Sequence, residues 1–327
     1  MLFGAFAMID RDVDGRQQME VPSGKLRSRI GVALIAMFTV LVAGCGAAVA
    51  QPKTSSTASS SAHVKFDSKI AALLPSSVRT HGSISVGSEI DYPPFEFIAS
   101  NGTPVGFDID LGHAIGEVLG IKFDFVNAQF ASIIPSLQSG RYEIGMSAFT
   151  DSLVREQVVN FVDYVQAGEV IVVPKGNPLG ISGITDLCGR AVAALAGSVA
   201  IGVLQTYSQK CVAAGKKAIV VPTFPNQDAT NLAVSSGRAA AMDIGAAIAG
   251  YLVKTTGHFQ VVGGLVDKQL YGIAVPKGST ALEHAIQAAL QSLIKSGAYQ
   301  QLLKKWGMGS FGISRVMING GGSLPVA

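Results

Sequence analysis

Short apolar runs recur between helix-patterned stretches along most of this chain, and that alternation constrains the fold more than any other feature. Ser83-Ile84-Ser85-Val86-Gly87 alternates with period two and reads as a strand, with Phe123–Val126 a second and Ile144–Ser147 a third. Asn101-Gly102 reads as a hairpin tip. A helix capped by Asp108 or Asp110 is predicted through Leu119 and stopped by Gly120; another runs from Ser132 to Ser139, stopped by Gly140. Strands separated by helices imply parallel βαβ units, with ligand sites outside the carboxyl ends of the strands. After Asp163 the pattern repeats. Val170–Val173 is a continuous apolar run of the kind buried on both faces. Ala191–Leu195 is a strand turning at Gly197-Ser198 into a helix, Ala218–Val221 a strand, and Asp228–Ser235 a helix closed by Gly237. Ala281–Ile294 and Tyr299–Trp306 close the chain as helices. The second unit mirrors the first, so the 327 residues are expected to form two α/β lobes joined by crossing strands.

Only 14% of residues are charged, which raises the question of a membrane span. The longest apolar run, Ile30–Val42, has 13 residues, whereas a spanning helix needs about 20. It follows Lys25, Arg27 and Arg29 and leads into Val42-Ala43-Gly44-Cys45, the pattern of an export signal. The Cys directly after Val-Ala-Gly resembles a bacterial lipoprotein signal spanning residues 1–44, cut before Cys45, which then carries lipid. An ordinary secretory signal with an incidental Cys is the alternative. Residues 45–75, with their Thr54–Ser61 tract, read as a flexible tether. The folded part is therefore expected in the cell envelope, on the outer face of the cytoplasmic membrane or in the periplasm. A net charge of +3, with no basic stretch interleaved with aromatics, argues against a nucleic-acid partner.

With Cys45 assigned to lipid, Cys188 and Cys211 remain, and in an exported protein such a pair is most simply a disulfide. Two free thiols are the alternative. A metal pair is disfavoured because His81, His113, His258 and His284 are scattered without ligand spacing.

Several motifs occur in a fixed order: Gly82–Gly87, Tyr92-Pro93-Pro94-Phe95, Val105–Leu111, Ile134–Gly140, Thr150 to Arg155, Asp186-Leu187-Cys188-Gly189 and Tyr271–Lys277. From about Leu74 to Trp306 the chain resembles the extracytoplasmic solute-binding proteins of polar amino-acid ABC importers. That resemblance implies a type II periplasmic-binding-protein fold. Each lobe would be a mostly parallel sheet flanked by helices, the two joined by two hinge strands. Lobe 1 would comprise residues 76–166 and 270–327, the latter including a C-terminal extension, and lobe 2 residues 167–269. Hinge crossings are expected near Val165–Gly168 and Asp267–Tyr271. It also implies a monomer that closes on one small solute and docks on a permease.

By the same resemblance, Arg155 matches the arginine that holds the solute's α-carboxylate, a task suited to a planar guanidinium fork. Thr150 matches a hydroxyl on the same carboxylate. Gly197 and Ser198 match a second clamp, where a helix N-terminus offers backbone N–H groups. Tyr92 and Phe130 match aromatic positions around the solute. Ser147 and Ala148 match a strand end whose carbonyls accept from the ammonium, and Glu89 an acidic position near it. One departure stands out. The family's ammonium-binding Asp aligns with Gly245, and the nearby carboxylate, Asp243, falls two residues early. Either a local slip restores Asp243, or the solute lacks a free α-ammonium.

No metal or other cofactor is implied, and no Ser-His-Asp or Cys-His arrangement is present. The resemblance thus favours a receptor over an enzyme. The alternative is a cleft lyase of the cyclohexadienyl dehydratase kind, for which Glu89 and Asp243 are the candidate acids.

Overall fold

The structure, a computed structural model, describes residues 64–323. The signal segment, Cys45 and the Thr54–Ser61 tract lie outside the described residues. The compact unit to which residues 64–323 belong runs from Ala58 to Ala327.

Part of the segment read as tether is folded. Helix α1 (Ser68–Ala71) is capped by Asp67, whose carboxylate accepts from the N–H groups of Lys69 and Ile70, and Leu74 is buried. Then come α2 (Ser76–His81), β1 (Ser83–Ser88), β2 (Asp91–Tyr92), β3 (Glu96–Ile98), β4 (Pro104–Val105), α3 (Phe107–Leu119), β5 (Lys122–Asn127), α4 (Phe130–Gln138) and β6 (Ile144–Gly145). The long strand β7 (Val159–Pro174) leads into β8 (Val192–Leu195), α5 (Ala200–Ala213), β9 (Thr223–Phe224), α6 (Gln227–Ser235), β10 (Ala241–Gly245) and α7 (Ala246–Thr256). A second long strand, β11 (Phe259–Pro276), returns the chain to α8 (Thr280–Ser296) and α9 (Ala298–Lys305).

Among the described residues the main sheet has the order β5-β1-β6-β11-β7-β10-β8-β9. β1 is parallel to β5 and β6, and β8 is parallel to β9 and β10, as βαβ connections require. The long strands explain the two-lobe architecture. Val159–Val165 of β7 pairs with Tyr271–Pro276 of β11 at one end, and at the other Glu169–Val172 of β7 pairs with Met242–Gly245 of β10. Between these two stretches Gln166 lies opposite Leu270 and Gly168 opposite Lys268, so β7 and β11 run side by side there.

Three local expectations are corrected. Helix α3 is entered through Gly106, with no side-chain cap; Asp108 is instead fully buried, accepting from the Tyr164 hydroxyl at 2.8 Å and the Ala148 N–H at 3.1 Å. Asp110 is engaged by Trp306 Nε1 at 2.7 Å and Lys305 Nζ at 2.6 Å, which fastens α9 to α3. Ala218–Val221 makes only an isolated bridge from Val220 to Ala191, and the strand comes later, at Thr223–Phe224. The stop of α3 is as read: Gly120 takes φ 70°, the left-handed conformation that costs glycine least.

Cys188, after a short 3₁₀ turn at Ile184–Leu187, is joined by a disulfide to Cys211 near the end of α5, with Cα atoms 5.6 Å apart. Residues after α9 fold back onto β7, where Ile318 bridges Val162 and the Gly320 N–H donates to Asp163 at 3.0 Å.

Candidate functional site

The loops that follow β1, β6 and β8 gather at one edge of the crossing strands. The turn after β6 is held by a buried polar network. Ser147 accepts from the Glu89 N–H at 3.1 Å and donates to Glu96 at 2.6 Å, while Asp108 holds the N–H of Ala148. Ala148 has φ 44°, a conformation uncommon for a residue with a Cβ, and the Asp108 bond stabilises it there. The chain then delivers Thr150, whose hydroxyl donates to Gln269 at 3.0 Å, and Arg155, which opens a 3₁₀ turn at Arg155–Gln157.

Arg155 spans the two lobes. Its Nη1 donates to the Thr150 carbonyl at 2.9 Å and its Nη2 to the Gly197 carbonyl at 2.8 Å. The guanidinium carbon lies 5.4 Å from the Phe130 ring centroid and 5.5 Å from that of Phe149, and these rings stack 4.6 Å apart. Such contact favours a cation. Desolvation lowers the Arg155 guanidinium to about 10, opposed by the Glu169 carboxylate.

A small internal space of about 20 Å³ collects most of the expected residues: Tyr92, Phe130, Ala148, Thr150, Arg155, Ser198 and Asp243 all line it. It meets an outer cleft of about 610 Å³ at Thr150, Arg155, Ser198 and Val199, and Gly197 lines that outer cleft. The inner space holds about one water, so a solute enters only if the lining elements part. Glu89 and Ser147 lie outside the lining, buried behind it. The Gly197-Ser198 reading is also adjusted. Helix α5 begins at Ala200, and the Ser198 N–H donates to the Leu195 carbonyl at 3.1 Å, so Val199 and Ala200 present the helix start to the space. Gly197 sits at φ 80°, where an added Cβ would lie 3.0 Å from the Ala131 backbone.

Sequence reasoning missed Glu169 and Tyr271 as lining residues. Glu169 carried a signal: it is a lone charge opening the apolar run Val170–Val173, and it is 5% exposed. Tyr271 was legible as part of a motif but had no role.

The site is rich in acids. Burial, with Asp91 adding to it, pushes the Glu89 carboxyl up to about 8 against the pull of the Phe130 backbone N–H, and no side chain hydrogen-bonds either of its buried oxygens. Asp91 is raised to about 6 by burial and then by Asp228. Asp243, 1% exposed with both oxygens unpartnered, is raised well above the carboxylate range by burial and then by Glu169. Glu169 is raised to about 7 by burial and Asp267, against the pull of Arg155. Away from the cleft, burial and then Asp151 raise Asp163 to about 9.

These shifts set a pH dependence. Each raised carboxyl keeps a proton in the folded state that the unfolded chain has released, so stability falls as pH rises. Their contribution is complete below about pH 4, where unfolded carboxyls are protonated, and is lost through the range from about 6 to about 9. The solute-free protein is therefore expected to melt higher at pH 5 than at pH 8. A melting temperature that climbs over that interval would contradict these assignments.

Among the described residues no group of three or more His, Cys, Asp or Glu could hold a metal ion, and no helix is long and apolar enough to cross a membrane.

Residues 84–309 match the model of the bacterial extracellular solute-binding proteins, family 3, and the chain belongs to that family. It is 30% identical over 255 residues to the arginine-binding protein ArgT of Corynebacterium glutamicum, covering 77% of this chain and 83% of that one. It is 30% identical over 291 residues to the ABC transporter glutamine-binding protein GlnH of Bacillus subtilis, covering 86% and 97%. Among solved structures it is similar to an ancestral amino acid-binding protein described as a precursor of cyclohexadienyl dehydratase. That likeness has a TM-score of 0.64 and 33% identity, over 70% of this chain and 97% of the other.

Proposed function

We propose that this chain is an extracytoplasmic receptor that closes its two lobes on a cationic amino acid and delivers it to the permease of an ABC importer. The observation that carries the reading is the polarity of the site. One guanidinium, Arg155, joins the lobes at the rim of a space flanked by the carboxyls of Glu169 and Asp243, with Glu89 and Asp91 nearby. Arg155 and Thr150 would take the α-carboxylate, Tyr92 and Phe130 would enclose the solute, and the acids would take its positive charges. The name of the arginine-binding relative supports the same class of solute. Cys45 would anchor the receptor through lipid, the tether would give it reach, and it would act as a monomer without turning its solute over.

A thermal-shift screen of the mature chain against L-arginine, L-lysine, L-ornithine, L-glutamine and small dicarboxylates tests this. A cationic amino acid at a hundredfold over its dissociation constant should stabilise the fold by about 2.7 kcal/mol. A shift with dicarboxylates alone would contradict the assignment. Product from prephenate or arogenate would overturn the receptor reading in favour of a lyase.

A further inference from the structure

We propose that Glu169, assisted by Asp243, receives the ammonium group of the solute in place of the carboxylate that the family pattern puts at Gly245. This rests on the reading that an amino acid binds between the lobes.

The strand register carries the argument. β10 and β7 are antiparallel, with Gly245 opposite Glu169 and Asp243 opposite Ile171. Opposed residues project to the same face with Cβ atoms about 4.5–5.5 Å apart, and diagonal neighbours are within reach of longer side chains. A carboxylate on Glu169 therefore reaches the region that a carboxylate at 245 would serve. Asp243 joins it from the same strand face, two residues along. At 245 itself a Cβ would press on the Tyr271 hydroxyl and stand 2.8 Å from Ile248 Cδ1, so an acid there would require those side-chain ends to shift. Gly245 and the Tyr271 phenol fit one another, and the charge sits across the register.

Charge balance points the same way. Glu169 and Asp243 both line the inner space and are 5% and 1% exposed. The groups facing them are Asp267 on β11, the phenols of Tyr92 and Tyr271, and Arg155. A buried carboxyl either keeps its proton or ionises beside a cation. With Arg155 engaged by the carboxylate of the solute, Glu169 and Asp243 stay protonated until an ammonium enters the space they line and lets them ionise against it. A primary ammonium brings three donors to these acceptors, whereas a quaternary nitrogen brings none. The solute therefore carries a free α-ammonium, and betaines and deaminated acids are rejected.

Calorimetric titration with L-arginine and with 5-guanidinopentanoic acid, its analogue lacking the α-ammonium, tests the assignment. Wild type should prefer arginine by roughly tenfold to a hundredfold, the range of one charge-assisted bond. Glu169→Gln should lose most of that preference by weakening arginine alone, and Asp243→Asn should lose less. The melting temperature of solute-free Glu169→Gln should match or exceed that of wild type, since a buried carboxylate is removed. Should that variant fail to fold, Glu169→Asp keeps the charge, shortens its reach and should still weaken arginine selectively. Equal affinity of wild type for both ligands, or variants that weaken both alike, would overturn the proposal while leaving the receptor reading intact. Absence of binding of arginine, lysine and ornithine alike to wild type would overturn both.

Discussion

Replacing Arg155 with alanine is expected to abolish solute binding while leaving the protein folded. The side chain is partly buried, and its two backbone partners are the carbonyls of Thr150 and Gly197 at the outer cleft, which can turn to water when it is gone. Its stacking partners Phe130 and Phe149 stay packed on each other. Stability should therefore change little. Binding is different, because a guanidinium offers a planar fork that lysine cannot reproduce. Two charge-assisted bonds at about 1.5–3 kcal/mol each correspond to a loss of at least a hundredfold in affinity. Arg155→Lys should recover only a small part of it. Full affinity in Arg155→Ala would show that the carboxylate of the solute is held elsewhere.

Removing the Cys188–Cys211 disulfide is expected to cost about 3 kcal/mol of stability, from the entropy of a loop with 23 residues of sequence separation. The bridge ties the turn after Leu187 to α5, the helix whose first residues line the inner space. The double Cys→Ser variant should therefore melt lower, yet bind solute once folded, since neither cysteine reaches the lining. A thiol count on the unreduced chain checks the bridge independently. Unchanged stability in the double variant would mean that the linkage contributes nothing to the folded state.

Much of the fold was legible because its signals are local. The stops at Gly120, Gly140 and Gly237 are positive-φ glycines, and the apolar run at Val170–Val173 is a strand with neighbours on both sides. The failures arose where tertiary partners overrode local chemistry. Asp108 has the residue type and position of a cap, but Tyr164 and Ala148, far along the chain, claim its carboxylate. Ala218–Val221 has strand composition but lies at the sheet edge, where only Val220 makes a bridge. In the site, residues adjacent in a motif, such as Thr150 and Arg155, could be read together. Glu169 could not, because its relation to Gly245 exists only in the register between β7 and β10. A period-two pattern tells which face a residue occupies, and not which residue lies opposite. That gap left the question of the ammonium open in the sequence alone.

The most direct measurement is a calorimetric titration of the mature chain with L-arginine near neutral pH. A receptor whose rim guanidinium and buried acids match a dipolar, cationic solute should bind it one to one, at micromolar affinity or tighter. Flat heats with arginine, lysine and ornithine alike, from a sample that melts cooperatively, would contradict the account.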